Sequence, residues 1–293
     1  MEAQLQVRQP TSHRSTRRMR EKILLYILMV VVVFLVCVPI IWLLITSLKK
    51  DVEYLSYPIK FLPAVPQWSN YTNVFDPRYD FLKHAGISAG LALGSSILTV
   101  ISSSLAGFAF ARFPEVKARD KLFAIVTSMI IIPQIVTVIP QFIIFSRLHL
   151  TGTYWPWVIW GIAGSPILIF LFRQFFIRFP RELEDAAEID GCSTFEIFWR
   201  IFLPNAKPVI ATAFILNFVA VWGDWFAPLI YLNSENTTLS VVISTAYVNP
   251  QGQPLTTLTL AAVVLYILPM VVIFFFGQRY IMQGTLTSGL TGR

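Results

Sequence analysis

Apolar residues along this chain come in long unbroken runs, confined neither to one helix face nor to alternate positions of a strand. About 20 such residues cross the hydrocarbon layer as a helix. Six segments qualify once tilt is allowed: 23–47, 85–111, 122–145, 155–177, 208–231 and 257–279. The pattern predicts an all-α polytopic membrane protein with six transmembrane helices, a basic segment before them (1–22) and a tail after them (280–293). Pro39, Pro133, Pro140, Pro166, Pro228 and Pro269 fall inside or near the ends of these segments. Membrane helices tolerate proline where neighbours or water satisfy the freed backbone groups.

One stretch, 180–207, breaks the apolar pattern with charge and amphipathic spacing. Pro180 suits a helix's first turn, and Glu182, Glu184 and Asp185 follow near its positive dipole end. Gly191 is the residue best able to take the left-handed conformation that ends a helix. Ser193-Thr194-Phe195-Glu196 then reads as a capping box. Phe195, Phe198, Ile201 and Phe202 continue at helical spacing, and Pro204 is expected to close this second helix. The prediction is a helix, a tight turn and a helix held between two spans.

Of the 293 residues, 55% are hydrophobic and 13% charged, so the length is spent on spans and not on soluble domains. The net charge of +7 does not point to nucleic acid, because the basic residues lie at the ends of apolar runs. With the amino terminus inside, the Arg14–Lys22 cluster, Arg112–Lys121, Arg173–Lys207 and Arg279 are cytoplasmic. Lys49, Lys50, Lys60, Arg78, Lys83 and Arg147 are then external. This asymmetry obeys the positive-inside rule and places 180–207 in the cytoplasm. The first run is longer than a signal-peptide core and lacks a small-x-small cleavage site, so it is retained as a span. Cys37 and Cys192 sit in different environments, and three scattered histidines form no metal-ligand pattern.

Polar and small residues within the spans mark candidate sites. Gly86, Gly90 and Gly94 form a small-xxx-small ladder, expected to let another helix approach closely. Ser88, Ser95, Thr99 and Ser103 make a mildly polar stripe on the same span, read as packing. Gln134, Thr137 and Gln141 share a face of the third span, where they either line a pathway or bond helices together. Tyr154, Trp155, Trp157 and Trp160 are expected to form an interfacial aromatic belt. Asn217 and Asp224 share a face of the fifth span with Trp222 nearby. Asp224, the sole carboxylate within the six segments, either serves a pathway or is hydrogen-bonded near the outer interface.

Asp185-Ala186-Ala187, then Asp190-Gly191, with Pro204 and Pro208 downstream, resembles the coupling loop of ABC-importer permeases. Asp185 stands where that family usually has Glu, and Cys192 where it usually has Ala. Ser47-Leu48-Lys49, Glu53, Pro58, Phe61-Leu62-Pro63, Pro66, Trp68 and Asn70-Tyr71 resemble the first external loop of carbohydrate permeases of the smaller maltose-permease type. Trp222–Phe226 and the tail around Gln278-Arg279-Tyr280, Gln283-Gly284 and Ser288-Gly289 resemble the same group. The resemblance implies a type I ABC-importer permease fold and ATPase-coupling roles for Glu184, Asp185, Ala186, Ala187, Glu188, Asp190, Gly191, Cys192, Phe195 and Phe198.

It also implies a heterodimer with a second homologous permease subunit, two ATP-binding subunits, an extracytoplasmic solute-binding protein and a carbohydrate solute. ATP and Mg would sit on the partner ATPase, with no cofactor held by this chain. Gln134, Thr137, Gln141, Asn217, Trp222 and Asp224 are the candidates for the translocation path. The sequence contains no GxxxxGK[ST] phosphate loop and no nucleophile elbow, so a non-catalytic membrane subunit is expected. A neutral oligosaccharide, a sugar phosphate and an acidic oligosaccharide such as alginate fragments all stay open as solutes. So does a peptide, amino-acid or ion permease; an ion-gradient-driven transporter is disfavoured by the single carboxylate and the lack of visible repeats.

Overall fold

The computed structural model describes the backbone of residues 12–289 and the side chains of residues 19–280. The side chains of Arg14, Arg17, Arg18, Gln283 and Ser288 therefore lie outside the described residues, as do the residues before 12 and after 289. The described backbone is helical apart from one isolated bridge between Val248 and Pro254. In chain order the helices are α1 Ser12–Ser47, α2 Asp51–Tyr54, α3 Ser69–Asn73, α4 Phe81–Arg112 and α5 Arg119–Ser128. Then come α6 Gln134–Arg147, α7 Trp155–Ala163, α8 Pro166–Phe176, α9 Glu182–Ile189 and α10 Thr194–Ile197. The last five are α11 Leu203–Asn205, α12 Lys207–Gly223, α13 Phe226–Tyr231, α14 Leu239–Thr245 and α15 Thr256–Gly289.

α4 is the hub, packed against α7, α8, α12 and α14, while α15 joins α12 to α1. The hydroxyl stripe on α4 makes these contacts specific. Ser88 Oγ accepts the Leu239 N–H at 2.9 Å, Ser96 Oγ accepts Asn217 Nδ2 at 3.1 Å, and Ser103 Oγ accepts the Ser165 N–H at 3.0 Å. Such bonds satisfy backbone and amide groups that lipid cannot. A Cβ built on Gly86, Gly90 or Gly94 meets nothing within 4 Å, so among the described residues no helix closes on the glycine ladder. Close approach occurs instead at Gly107, where a Cβ would lie 2.5 Å from Phe172 Cβ, and at Gly161, 2.8 Å from Leu98 Cβ.

Three of the expected spans are broken. The third turns through 103° between α5, with the 3-10 turn that follows it, and α6. Pro133 forces the break: its ring pushes Ile132 out of the helical region to φ −76, ψ 116. The fourth is interrupted at Gly164, whose φ of +76 strains any side chain and where a Cβ would lie 3.1 Å from Ser103 Oγ. The fifth ends as α12 at Gly223, and α13 restarts after Asp224 and Trp225.

At one end of the bundle the 49–73 loop folds back on α1. Asn70 Nδ2 donates to the Ser47 and Lys49 carbonyls at 2.8 and 3.0 Å, capping the end of α1, and the Ser47 and Tyr71 hydroxyls bond at 2.7 Å. Lys49 is 1% exposed, its ammonium donating to the Lys60 carbonyl at 2.6 Å and lying over the Trp42 ring. Asp51 accepts both the N–H and the hydroxyl of Thr257, capping the start of α15. Of the residues picked out in this loop by resemblance, Ser47, Lys49, Glu53, Asn70 and Tyr71 tie it down, whereas Pro58, Phe61, Leu62, Pro66 and Trp68 are exposed.

Candidate functional site: a polar cavity and a docked helical hairpin

The breaks in the helices open a cavity of about 770 Å³ between α4, α6, α7, α8 and α12. Gln134 enters it because it starts α6 directly after Pro133, and Asn217 because it faces α4 from mid-α12. Asp224 reaches it from the gap after α12. Its Oδ1 accepts the N–H groups of Phe226 and Ala227 at 2.9 and 3.2 Å, so the carboxylate caps α13. The Asp224 carbonyl accepts the Ser240 hydroxyl at 2.7 Å, which fixes the gap against α14. Ser95, Thr99 and Ser165 add hydroxyls to the lining, and Trp160 and Trp225 add indole faces.

Gln134, Asn217 and Asp224 are thus brought together; the other three pathway candidates are not. Thr137 turns its hydroxyl back to the Gln134 carbonyl at 2.8 Å, a bond within its own helix, and Gln141 lies outside the cavity lining. Trp222 is buried in the core. Its Nε1–H donates to the Tyr266 carbonyl at 3.1 Å, the Tyr266 hydroxyl returns a bond to the Trp222 carbonyl, and the ring stacks between Phe218 and Tyr266. Trp157 and Trp160 depart from the belt expectation: Trp157 is buried and both line the cavity, whereas Tyr154 and Trp155 are exposed. Their i, i+3 spacing within α7 was the available signal, and it was compatible with either placement.

At the opposite end of the bundle from the 49–73 loop stands the helical hairpin. Gly191 has φ +80 and ends α9 as expected, with open space around it. Ser193 Oγ accepts the Glu196 N–H at 3.4 Å, and Glu196 Oε2 accepts the Ser193 N–H at 3.0 Å, completing the capping box. The Ser193 N–H, and after it the Ser193 hydroxyl, which also donates to Oε2 at 3.0 Å, hold the Glu196 carboxyl below the usual carboxylate range. The prolines behave differently from expectation. Pro180 precedes α9, whose first residue is Glu182. Pro204 does not close the second helix, because α10 widens into a π turn at Phe198–Phe202 and resumes as α11. The wider register accommodates a ring that would clash with an α-helical carbonyl, and Asn205 Nδ2 donates to the Ile201 carbonyl at 2.7 Å. The chain then bends by 80° at Ala206 into α12.

Burial divides the hairpin into an anchoring face and a free face. Phe198, 3% exposed, and Phe202 lock into Phe108 and Phe176 at the ends of α4 and α8, and Ala187 and Ile197 join the same cluster. Phe198 is therefore packed inside the chain, where it anchors the hairpin. Glu184 is also turned inward: its Oε1 lies 3.1 Å from Arg112 Nε at the end of α4. The contact is not aligned as a hydrogen bond, and burial pushes the Glu184 carboxyl up, with the Arg112 charge offsetting only part of this. Asp185, Ala186, Glu188, Asp190 and Gly191 are exposed, and Cys192 is half-buried. The free face also carries Ile189, 86% exposed, Phe195, 64% exposed, and Trp199. Ile189 and Trp199 were missed, although apolar residues in so charged a stretch were the signal.

Residues 14–286 match the family of binding-protein-dependent transport system inner membrane components. The chain belongs to this family. Similar relatives include the arabinooligosaccharides transport system permease protein AraQ of Bacillus subtilis, 34% identical over 87% of this chain and 90% of that protein. The lactose transport system permease protein LacG of Rhizobium radiobacter is 30% identical over 93% of this chain and 97% of its own length. A solved bacterial ABC transporter involved in importing the acidic polysaccharide alginate contains a chain of the same fold. It has a TM-score of 0.75 and 22% identity, and the match covers 93% of this permease and 99% of that chain. The all-α permease fold of an ABC importer is thereby established, and this permease is an inner-membrane component.

Proposed function

We propose that this permease forms half of the translocation pathway of an ATP-driven carbohydrate importer. Its partners are a second homologous permease, two ATP-binding subunits that hold ATP and Mg, and an extracytoplasmic solute-binding protein. Both termini face the cytoplasm in this reading, as the distribution of Lys and Arg favours. The observation that carries it is the coexistence of a polar, indole-bearing cavity at the helix breaks with an amphipathic hairpin that leaves Ile189, Phe195 and Trp199 largely exposed among the described residues.

Each part has a physical task. Ile189, Phe195 and Trp199 on the free face, beside Asp185, Glu188 and Asp190, offer an apolar patch with an acidic rim to the ATPase. The anchoring face ties the hairpin to α4 and α8 through the Phe108–Phe176–Phe198–Phe202 cluster. A push on the hairpin therefore moves α4 and α8 with it, and those helices wall the cavity. Packed interfaces of this kind shift as rigid bodies between discrete arrangements, which suits alternating access. No covalent chemistry on the solute is needed.

Carbohydrate is favoured because amide, hydroxyl and carboxylate groups bond hydroxyls while indole faces pack on sugar rings. Relatives named for arabinooligosaccharide, lactose and sulfoquinovosyl glycerol transport lend support. The test is ATP-driven uptake by the reconstituted complex with its binding protein. Saccharide uptake that requires both ATP and the binding protein is expected; uptake of peptides or amino acids alone would overturn the solute assignment.

A further inference from the structure

The chemistry of the cavity lining goes one step beyond the class of solute. We propose that Asp224 makes this half of the pathway selective for uncharged sugars over anionic ones. The inference rests on the reading of the cavity as the solute path. Among its described lining residues there is one carboxylate and no Lys, Arg or His. Among the basic residues on the cavity helices, Arg147 and Lys207 stand at the far ends of α6 and α12, outside the lining, and Arg112 and Arg173 are committed elsewhere. Arg112 is bound to Glu184 and the Phe179 carbonyl, and Arg173 is bound to the Phe110 carbonyl and lies over the Phe123 ring.

Asp224 is held in place by its surroundings. Both bonds from the start of α13 go to Oδ1, and the Ser240 hydroxyl holds its carbonyl, so Oδ2 is the oxygen left to the cavity. A neutral sugar brings hydroxyl donors to such an oxygen. A sugar carrying carboxylate, sulfonate or phosphate brings a like charge into a partly dehydrated site with no cation among its described lining residues to receive it, and that repulsion is little screened. Selectivity of this kind works by penalising the wrong solute as much as by binding the right one.

The experiment uses the complete complex in nanodiscs without binding protein, so that the binding protein's own preference does not enter. Intrinsic tryptophan fluorescence, to which Trp160 and Trp225 at the cavity contribute, is titrated with two panels. The neutral panel is arabinan oligosaccharides, malto-oligosaccharides and lactose; the anionic panel is oligogalacturonates, alginate fragments and lactobionate. Saturable binding by a neutral sugar and none by the anionic panel is expected. Asp224→Asn keeps an acceptor for the Phe226 and Ala227 N–H groups while removing the charge, and Asp224→Ser does the same with a shorter cap. Both should gain about tenfold or more in affinity for anionic sugars. Anionic sugars binding the unmodified complex as tightly as neutral ones, or both variants leaving anionic affinity unchanged, would overturn the inference while the carbohydrate reading stands. Binding by neither panel would remove the carbohydrate reading and this inference with it.

Discussion

Replacing Arg112 by Met should loosen the hairpin, and replacing Glu184 by Gln as well should repair part of the damage. Arg112→Met removes three contacts. The ion-pair partner of Glu184 Oε1 at 3.1 Å is lost, as are the bond from Arg112 Nη2 to the Phe179 carbonyl at 2.6 Å and the cation over the Phe202 ring. Stranding a fully buried carboxylate costs about 3–5 kcal/mol, and we scale this to about 2 kcal/mol because Glu184 keeps 17% of its side chain exposed. The charged hydrogen bond adds about 1.5 kcal/mol. The ring contact adds about 0.5 kcal/mol, for a total of about 4 kcal/mol. Glu184→Gln alone should cost less than about 1 kcal/mol, because burial of the carboxylate outweighs the attraction it gains. The double variant should then sit about 2 kcal/mol below the unmodified protein, a coupling of about 2 kcal/mol.

The pH dependence carries a sign. A carboxyl whose folded pKa is raised favours folding most below its ordinary value and loses that contribution as pH rises through the raised one. Without Arg112 the offset disappears, so the Arg112→Met defect should shrink on moving from neutrality toward about pH 5. Hydrogen exchange of the Glu182–Asn205 amides in the assembled complex reads the opening free energy directly. Glu184→Gln costing as much as Arg112→Met, or a double variant no better than Arg112→Met, would refute the reasoning.

Gly191→Ala should cost about 1–2 kcal/mol through its positive φ alone, since open space surrounds it, whereas Gly191→Pro should abolish co-purification of the ATPase while the spans still insert. Ile189→Asp or Phe195→Asp should leave the permease's thermal stability within about 0.5 kcal/mol and sharply reduce ATPase retention on an affinity column. Phe198→Ala should instead cost about 3–5 kcal/mol and lower the unfolding temperature, since the ring fills the core between α4 and α8. Asn70→Ala should cost about 2 kcal/mol by freeing the Ser47 and Lys49 carbonyls, read as proteolytic sensitivity of the 49–73 loop without loss of the cavity.

Local chemistry was legible in the sequence, and long-range partnership was not. Gly191 and the Ser193–Glu196 box behave as expected because each depends on atoms within a few residues. Hydropathy located the apolar runs because lipid imposes one length scale, but it carries no information on continuity. Among the described residues four helices are long and apolar enough to span, and the third and fifth runs lie in pairs bent by 103° and 80°. The breaks at Pro133, Gly164 and Asp224 come from backbone chemistry inside the runs, and they are what open the cavity. Phe195 and Phe198 look equivalent in sequence; only the ends of α4 and α8 decide that Phe198 is buried and Phe195 free. Glu184 and Asp185 divide for the same reason, one turned to Arg112 and the other to solvent. The glycine ladder shows the same limit: spacing tells that a helix has a smooth face, not whether a helix of the same chain covers it, and the described residues leave it open.

In the proposed importer the free face of the hairpin receives the force of ATP hydrolysis. The most direct measurement places a photo-crosslinking side chain at position 189, and a control at position 65 in the opposite loop, in cells expressing the chain with its genomic neighbours. Crosslinking of a Walker-type ATPase is expected from position 189 and none from position 65, with loss of the adduct together with ATP-driven uptake in Phe195→Asp. An ATPase that crosslinks from neither position, with solute uptake that follows an ion gradient and ignores ATP, would contradict it.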